Sequence, residues 1–227
     1  MFYKLYDDEK YSLAEWADEV DYGDLIDCPI NPHNHPKIGK RTERLIIELP
    51  STNIGDFIGT WHNERLITDK VVQLFKEAGF TGYELKPVTV KKVKRVGKNS
   101  KPIPQLWEMV ITGWAGMAPP ESGIKLITPY CKGGCGYSRY SGCTDPSHLI
   151  DLAQWDGSDF FMVWPLPKFI FVPQRVKDFV EENKLTGCQF IPVENVKFTV
   201  GYSCPGRLSD LMPEARARLL GEPLGIY

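Results

Sequence analysis

The sequence predicts an α+β fold: one domain with a mixed sheet, two repeated strand–helix–strand units and a pair of knuckle-like loops. Three observations predict it. Strand-like and helix-like periods are mixed along the whole chain. The segment Leu66 to Val88, LITDKVVQLFKEAGFTGYELKPV, lies without a gap over Phe171 to Val193, FVPQRVKDFVEENKLTGCQFIPV. Two cysteine-bearing loops, at 28–35 and 131–136, interrupt the periodic segments.

Taken from the N-terminus, residues 7–24 are strongly acidic, with Asp7, Asp8, Glu15, Asp18 and Glu19 among eight carboxylates against Lys10 alone. Ser12-Leu13-Ala14-Glu15 matches a capping box, and Leu13, Trp16, Ala17 and Val20 follow at helical spacing, so a short acidic helix is expected here. Leu45 to Leu49 reads as a strand. In the first repeated unit Val71, Leu74, Phe75 and Ala78 step by three and four, with Thr68 placed to cap the helix. In the second unit Val176, Phe179 and Val180 do the same, and Pro173 suits the opening turn. Each helix runs into a Thr-Gly turn, Thr81-Gly82 or Thr186-Gly187, and then an alternating strand carrying Tyr83 and Leu85 or Cys188 and Phe190. A duplication giving halves at 40–112 and 126–200 accounts for the match.

Val88 to Val96 interleaves valines with Lys91, Lys92, Lys94 and Arg95, the composition of an edge strand whose charges discourage intermolecular pairing. Trp107 to Thr112 and Phe160 to Val163 are further strands, residues 113–122 a Gly/Pro-rich connector, and Pro213 to Gly221 a short terminal helix.

The chemistry concentrates at Cys131-Lys-Gly-Gly-Cys135-Gly136. Two thiols at this spacing, followed by a glycine free to take positive φ, form half of a zinc site. The other dense stretch is Cys28-Pro29-Ile30-Asn31-Pro32-His33-Asn34-His35. Cys28 with His33 or His35 completes the tetrahedron, and the set Cys28, His33, Cys131 and Cys135 is the one expected. Cys143 is a competing thiol, while Cys188 and Cys204 read as packing or free thiols. Such a zinc is structural, because four protein ligands leave no open position.

A net charge of −2 excludes a strongly basic nucleic-acid binder by bulk charge, no window reaches the length of a membrane span, and no apolar leader follows Met1. Six cysteines in 227 residues are too few for a disulfide scaffold, so a soluble protein of the reducing cytoplasm is expected. His62 and His148 belong to no nucleophile motif, and phosphate-binding Gly patterns do not occur; an enzyme is not expected.

The order Cys28-Pro29, a helix–strand unit, Cys131…Cys135-Gly136, Asp159-Phe160-Phe161, Phe169 to Val172 with Arg175, and Leu185-Thr186-Gly187 resembles the bacterial double-CXXCG motif proteins. The resemblance covers residues 27–196. It departs at the first motif, where the second Cys falls at Asn31 with no Gly after it, and the second motif is one residue longer. Members of that family are immunity proteins that protect a cell from polymorphic toxins delivered between bacteria. The resemblance therefore implies stoichiometric binding of a cognate toxin. A basic, nuclease-like toxin would be met by the acidic residues Asp7, Asp8, Glu15, Asp18 and Glu19. The alternative is a zinc-containing nucleic-acid-binding module using the Val88 to Lys101 strand.

Overall fold

A computed structural model describes residues 1–17, 27–35, 41, 44–98, 102–197 and 202–227. These hold fifteen strands and three α-helices. The N-terminal half contains β1 (Phe2–Asp7), β2 (Glu15–Trp16), β3 (Ile46–Leu49), β4 (Phe57–Gly59), β5 (Arg65–Thr68), α1 (Asp69–Glu77), β6 (Tyr83–Pro87) and β7 (Thr89–Val93). The C-terminal half contains β8 (Leu106–Ile111), β9 (Gly113–Met117), β10 (Leu126–Thr128), β11 (Arg139–Ser141), β12 (Phe161–Trp164), β13 (Ile170–Pro173), α2 (Gln174–Glu182), β14 (Cys188–Pro192), β15 (Tyr202–Ser203) and α3 (Glu214–Gly221). The fold is mixed α+β and mostly sheet. No helix among the described residues is long and apolar enough to cross a membrane.

Two sheets carry the helices. One runs β4-β5-β8-β6, the other β9-β12-β13-β1-β14. Apart from β9 they share one order, and the registers coincide as well. Ile67 faces Trp107 and Pro87 faces Trp107 in the first sheet; Val172 faces Tyr3 and Pro192 faces Tyr3 in the second. Tyr83 faces Ile111 where Cys188 faces Asp7. The middle strand is exchanged in each case: β8 sits between β5 and β6, and β1 sits between β13 and β14. The chain after each exchanged strand then crosses back. β9 pairs parallel with β12, and Ala14 makes a parallel bridge to Thr60 at the end of β4.

The helices form because their apolar stripes meet between these sheets. Val71, Val72 and Phe75 of α1 and Val176 and Val180 of α2 are buried in one cluster, with Phe75 5.2 Å from the Phe160 ring. Complete burial of a side chain such as Phe75 contributes roughly 1.5–3 kcal/mol. Each Thr-Gly turn is gripped from the other half. Asp159 accepts hydrogen bonds from the Thr81 N–H (2.9 Å) and hydroxyl (3.2 Å), and Asp56 accepts them from the Thr186 N–H (2.9 Å) and hydroxyl (3.0 Å). Gly82 (φ +91°) and Gly187 (φ +90°) are required there, because a Cβ would overlap the Phe160 and Phe57 carbonyl oxygens respectively.

Three expectations need correction. The stretch from Ser12 is not helical over its described part: Glu15 and Trp16 form a strand against Glu48 and Ile47. Long-range pairing overrides the capping-box pattern, since the Ala14 N–H donates to the Gly59 carbonyl (2.8 Å) and its carbonyl accepts from the Trp61 N–H (3.3 Å). The remainder of that expected helix, including Asp18 and Glu19, lies outside the described residues. The first five residues of the supposed connector at 113–122 are strand β9, whose glycines admit Ser158 and Gln154 where side chains would collide. Thr68 precedes α1 without a side-chain cap. The Lys-bearing β7 does lie at the end of a three-stranded sheet, β2-β3-β7.

Candidate metal centre

Two loops from opposite halves converge on one point. In the first, the Asn34 and His35 N–H groups both donate to the Asn31 carbonyl (3.4 and 3.1 Å), so the chain turns back and carries His35 over Cys28. The Asn31 N–H also points at the Cys28 sulfur (3.3 Å). In the second, the Cys131 N–H donates to the Tyr137 carbonyl (2.8 Å), the Gly134 N–H to the Cys131 carbonyl (3.0 Å), and the Gly133 N–H points at the Cys131 sulfur (3.4 Å). Gly134 (φ +71°) and Gly136 (φ +78°) close this turn in the left-handed region.

The result is a cluster of Cys28, His35, Cys131 and Cys135 whose ligand atoms all lie within 4.8 Å of one another. Cys28 Sγ is 3.6 Å from Cys131 Sγ and 3.1 Å from His35 Nδ1, and Cys135 Sγ is 3.5 Å from the same Nδ1. A zinc tetrahedron with bonds of about 2.3 Å to sulfur and about 2.0 Å to nitrogen has S···S edges near 3.8 Å and S···N edges near 3.5 Å. The donor set fits, and the cluster could hold a metal ion such as zinc.

Its surroundings fix the ligands. The His35 ring stacks on Tyr137 at 4.0 Å and 10°, which orients Nδ1 toward the sulfurs. The C-terminal segment packs behind the second loop: Tyr130 donates to the Gly206 carbonyl (3.0 Å), Cys204 to the Ser138 carbonyl (2.9 Å), and the Arg207 side chain crosses the space left by Gly136. Burial pushes the Cys28 thiol up, but the Asn31 and Ile30 N–H groups and the neighbouring thiols outweigh it and bring the group to about 6. For Cys135 burial dominates, with Cys28 and Cys131 adding to it, and the thiol rises to about 11. Cys28 therefore ionises more readily than Cys135.

No protein-family model matches this chain, and no curated protein does.

Three of the four metal ligands expected from the sequence, Cys28, Cys131 and Cys135, are brought together. The fourth is His35, the alternate, and not His33. His33 sits exposed at the crest of the turn that folds His35 inward. The missed signal is the separation itself, since a turn at Asn31 returns the chain four residues later, at His35. Cys143 lies apart and donates to the Ser122 carbonyl (3.2 Å).

The acidic residues do not form one free surface among the described residues. Asp7 is ion-paired with Arg65, Glu15 with Lys94 (2.6 Å), and Asp8 accepts from the Gln189 side chain and the Lys10 N–H (both 3.1 Å). His62 stacks on Trp16 at 3.9 Å, and His148 pairs locally with Asp145 (3.0 Å).

Proposed function

We propose that this chain neutralises a cognate bacterial toxin by stoichiometric binding, on a rigid frame made of two copies of one unit and fastened by a structural zinc. The observation that carries the reading is what the residues shared with the double-CXXCG pattern do. Asp159 holds Arg175 and the Thr81 turn, Thr186-Gly187 docks on Asp56 and Phe57, and Cys28, Cys131, Cys135 and Gly136 build the metal clamp. Every one of them serves the frame. A pattern devoted to the frame leaves recognition to the surface, as suits a protein that acts by shape and charge fit.

The duplication is supported by the coincident registers of the two sheets, and it extends the repeated unit back to β1 and β8, so that β8 opens the second unit and does not close the first as the expected boundary at 112 had it. Cys28 and Cys131 stand 103 positions apart, close to the 104 that separates β1 from β8 in those registers, one from each unit. The zinc would join the halves, with no ligand place left for a substrate.

The proposed toxin-facing residues are Asp7, Asp8, Glu15, Asp18 and Glu19. Asp7 and Glu15 are already neutralised within the chain, so the recognising charge falls to the others. A nucleic-acid reading draws less support, because Lys94 of the basic stretch is held by Glu15 (2.6 Å) and Glu48 (3.6 Å).

The function is tested at the gene immediately upstream, which is expected to encode a large secreted protein with a variable C-terminal domain, by co-expressing that domain with this chain. A stable one-to-one complex and rescued growth are expected; growth arrest with no complex overturns the reading. Asp18→Lys with Glu19→Lys should weaken that complex at least tenfold, and unchanged affinity removes the acidic contact.

A further inference from the structure

We propose that Cys28 and Cys131 are a peroxide-driven disulfide pair, so that the two halves are fastened covalently whenever the metal is absent. This rests on the sulfur geometry and stands apart from the toxin reading. The two sulfurs lie 3.6 Å apart, against about 2.0 Å for a disulfide bond. Cys28 is 2% exposed, whereas Cys131 is half-buried and is the sulfur an oxidant reaches first. Backbone N–H groups point at both sulfurs, Asn31 at Cys28 (3.3 Å) and Gly133 at Cys131 (3.4 Å). Cys143 and Cys204 are engaged elsewhere, with the Ser122 and Ser138 carbonyls.

The chemistry balances. The Cys131 thiolate attacks hydrogen peroxide; the O–O bond breaks, a sulfenic acid forms, and hydroxide leaves and is protonated to water. The Cys28 thiolate then attacks the Cys131 sulfur, the S–O bond breaks, and the departing hydroxide takes up the second proton. Two thiols lose two electrons, one peroxide gains them, and two waters result. A bound metal would hold both thiolates and block the first step. Metal and disulfide are therefore alternative fastenings between the same two residues, the first suited to a reducing and the second to an oxidising setting.

The test treats full-length protein with hydrogen peroxide, after chelation or after loading with zinc, and maps the peptides by mass spectrometry. The expected result is a linked Cys28–Cys131 peptide in the chelated sample, formed at least tenfold more slowly in the zinc-loaded one, with a higher Tm that dithiothreitol reverses. Cys135→Ser keeps the link. Cys28→Ser loses it and leaves a Cys131 sulfenic acid that dimedone traps. Sulfinic acid at Cys131 in place of the link, a link through Cys135 instead, or equal rates with and without zinc would overturn the proposal.

Discussion

The Asp159 carboxylate reaches across the molecule to hold both the N–H (2.9 Å) and the hydroxyl (3.2 Å) of Thr81, while it also pairs with Arg175. Asp56 holds Thr186 in the same way from the opposite half, with Lys70 3.2 Å away as its cation. The two locks differ in depth: Asp159 is 1% exposed at its side chain and Asp56 15%. Removing a hydrogen-bonded carboxylate costs more where the stranded donors are dry.

Asp159→Ala is accordingly expected to destabilise by about 2–4 kcal/mol and Asp56→Ala by about 1–2 kcal/mol, by the usual range for charge-assisted hydrogen bonds. Urea unfolding at neutral pH measures both. Equal costs, or a larger cost at Asp56, would contradict the mirrored locks as described.

Zinc should bind at one equivalent per chain, and chelation should lower Tm. His35→Ala is expected to weaken zinc affinity at least tenfold, whereas His33→Ala leaves it unchanged, because only the former ring faces the sulfurs. Competition against a zinc indicator dye reads the difference. The same ranking should appear on acidification, since the thiols must lose protons to bind the metal.

Asp7 and Arg65 form an ion pair whose arginine is 8% exposed and whose Nε has no hydrogen-bond partner. By the sheet registers the equivalent positions are Ile111 and Ile170, both buried and both apolar. Asp7→Ile alone should cost about 3 kcal/mol, because it leaves a buried guanidinium without its carboxylate. Asp7→Ile with Arg65→Ile should recover most of that loss. A double variant less stable than the single one would sink this reading.

Lys4 is held below its ordinary 10.5 by burial first and by the nearby Arg65 second, although its ammonium lies 3.6 Å from the Phe169 ring centroid. The folded state therefore releases this proton at lower pH than the unfolded chain does. Between those two values the unfolded state binds more protons, so stability contributed by this group rises with pH in the alkaline window and is lowest at neutral pH. Lys4→Met should raise Tm at pH 7 by a few degrees and flatten that rise. Thermal melts from pH 7 to 10 separate the two outcomes.

Local pattern made the helices and their following turns legible. The stepping of Val71, Leu74 and Phe75, and of Val176, Phe179 and Val180, marks faces that are buried or half-buried in the core. The same kind of reasoning failed at Ser12 to Trp16, where backbone partners at Gly59 and Trp61, some 45 residues away, decide the conformation. The glycines of β9 looked like linker chemistry because nothing local announces that Ser158 and Gln154 press against them. At the metal centre residue type and spacing selected three ligands; the choice between two histidines depended on a turn whose hydrogen bonds a composition cannot display.

The exchange of β1 and β8 has a mechanical result. Neither half owns a complete sheet, so a single cut in the chain between Lys94 and Leu106 would leave two fragments still gripping each other through borrowed strands. Unfolding must release both grips together, and partial loss of one half exposes an open slot in the other. The molecule should melt as one unit, the opposite of two beads on a string.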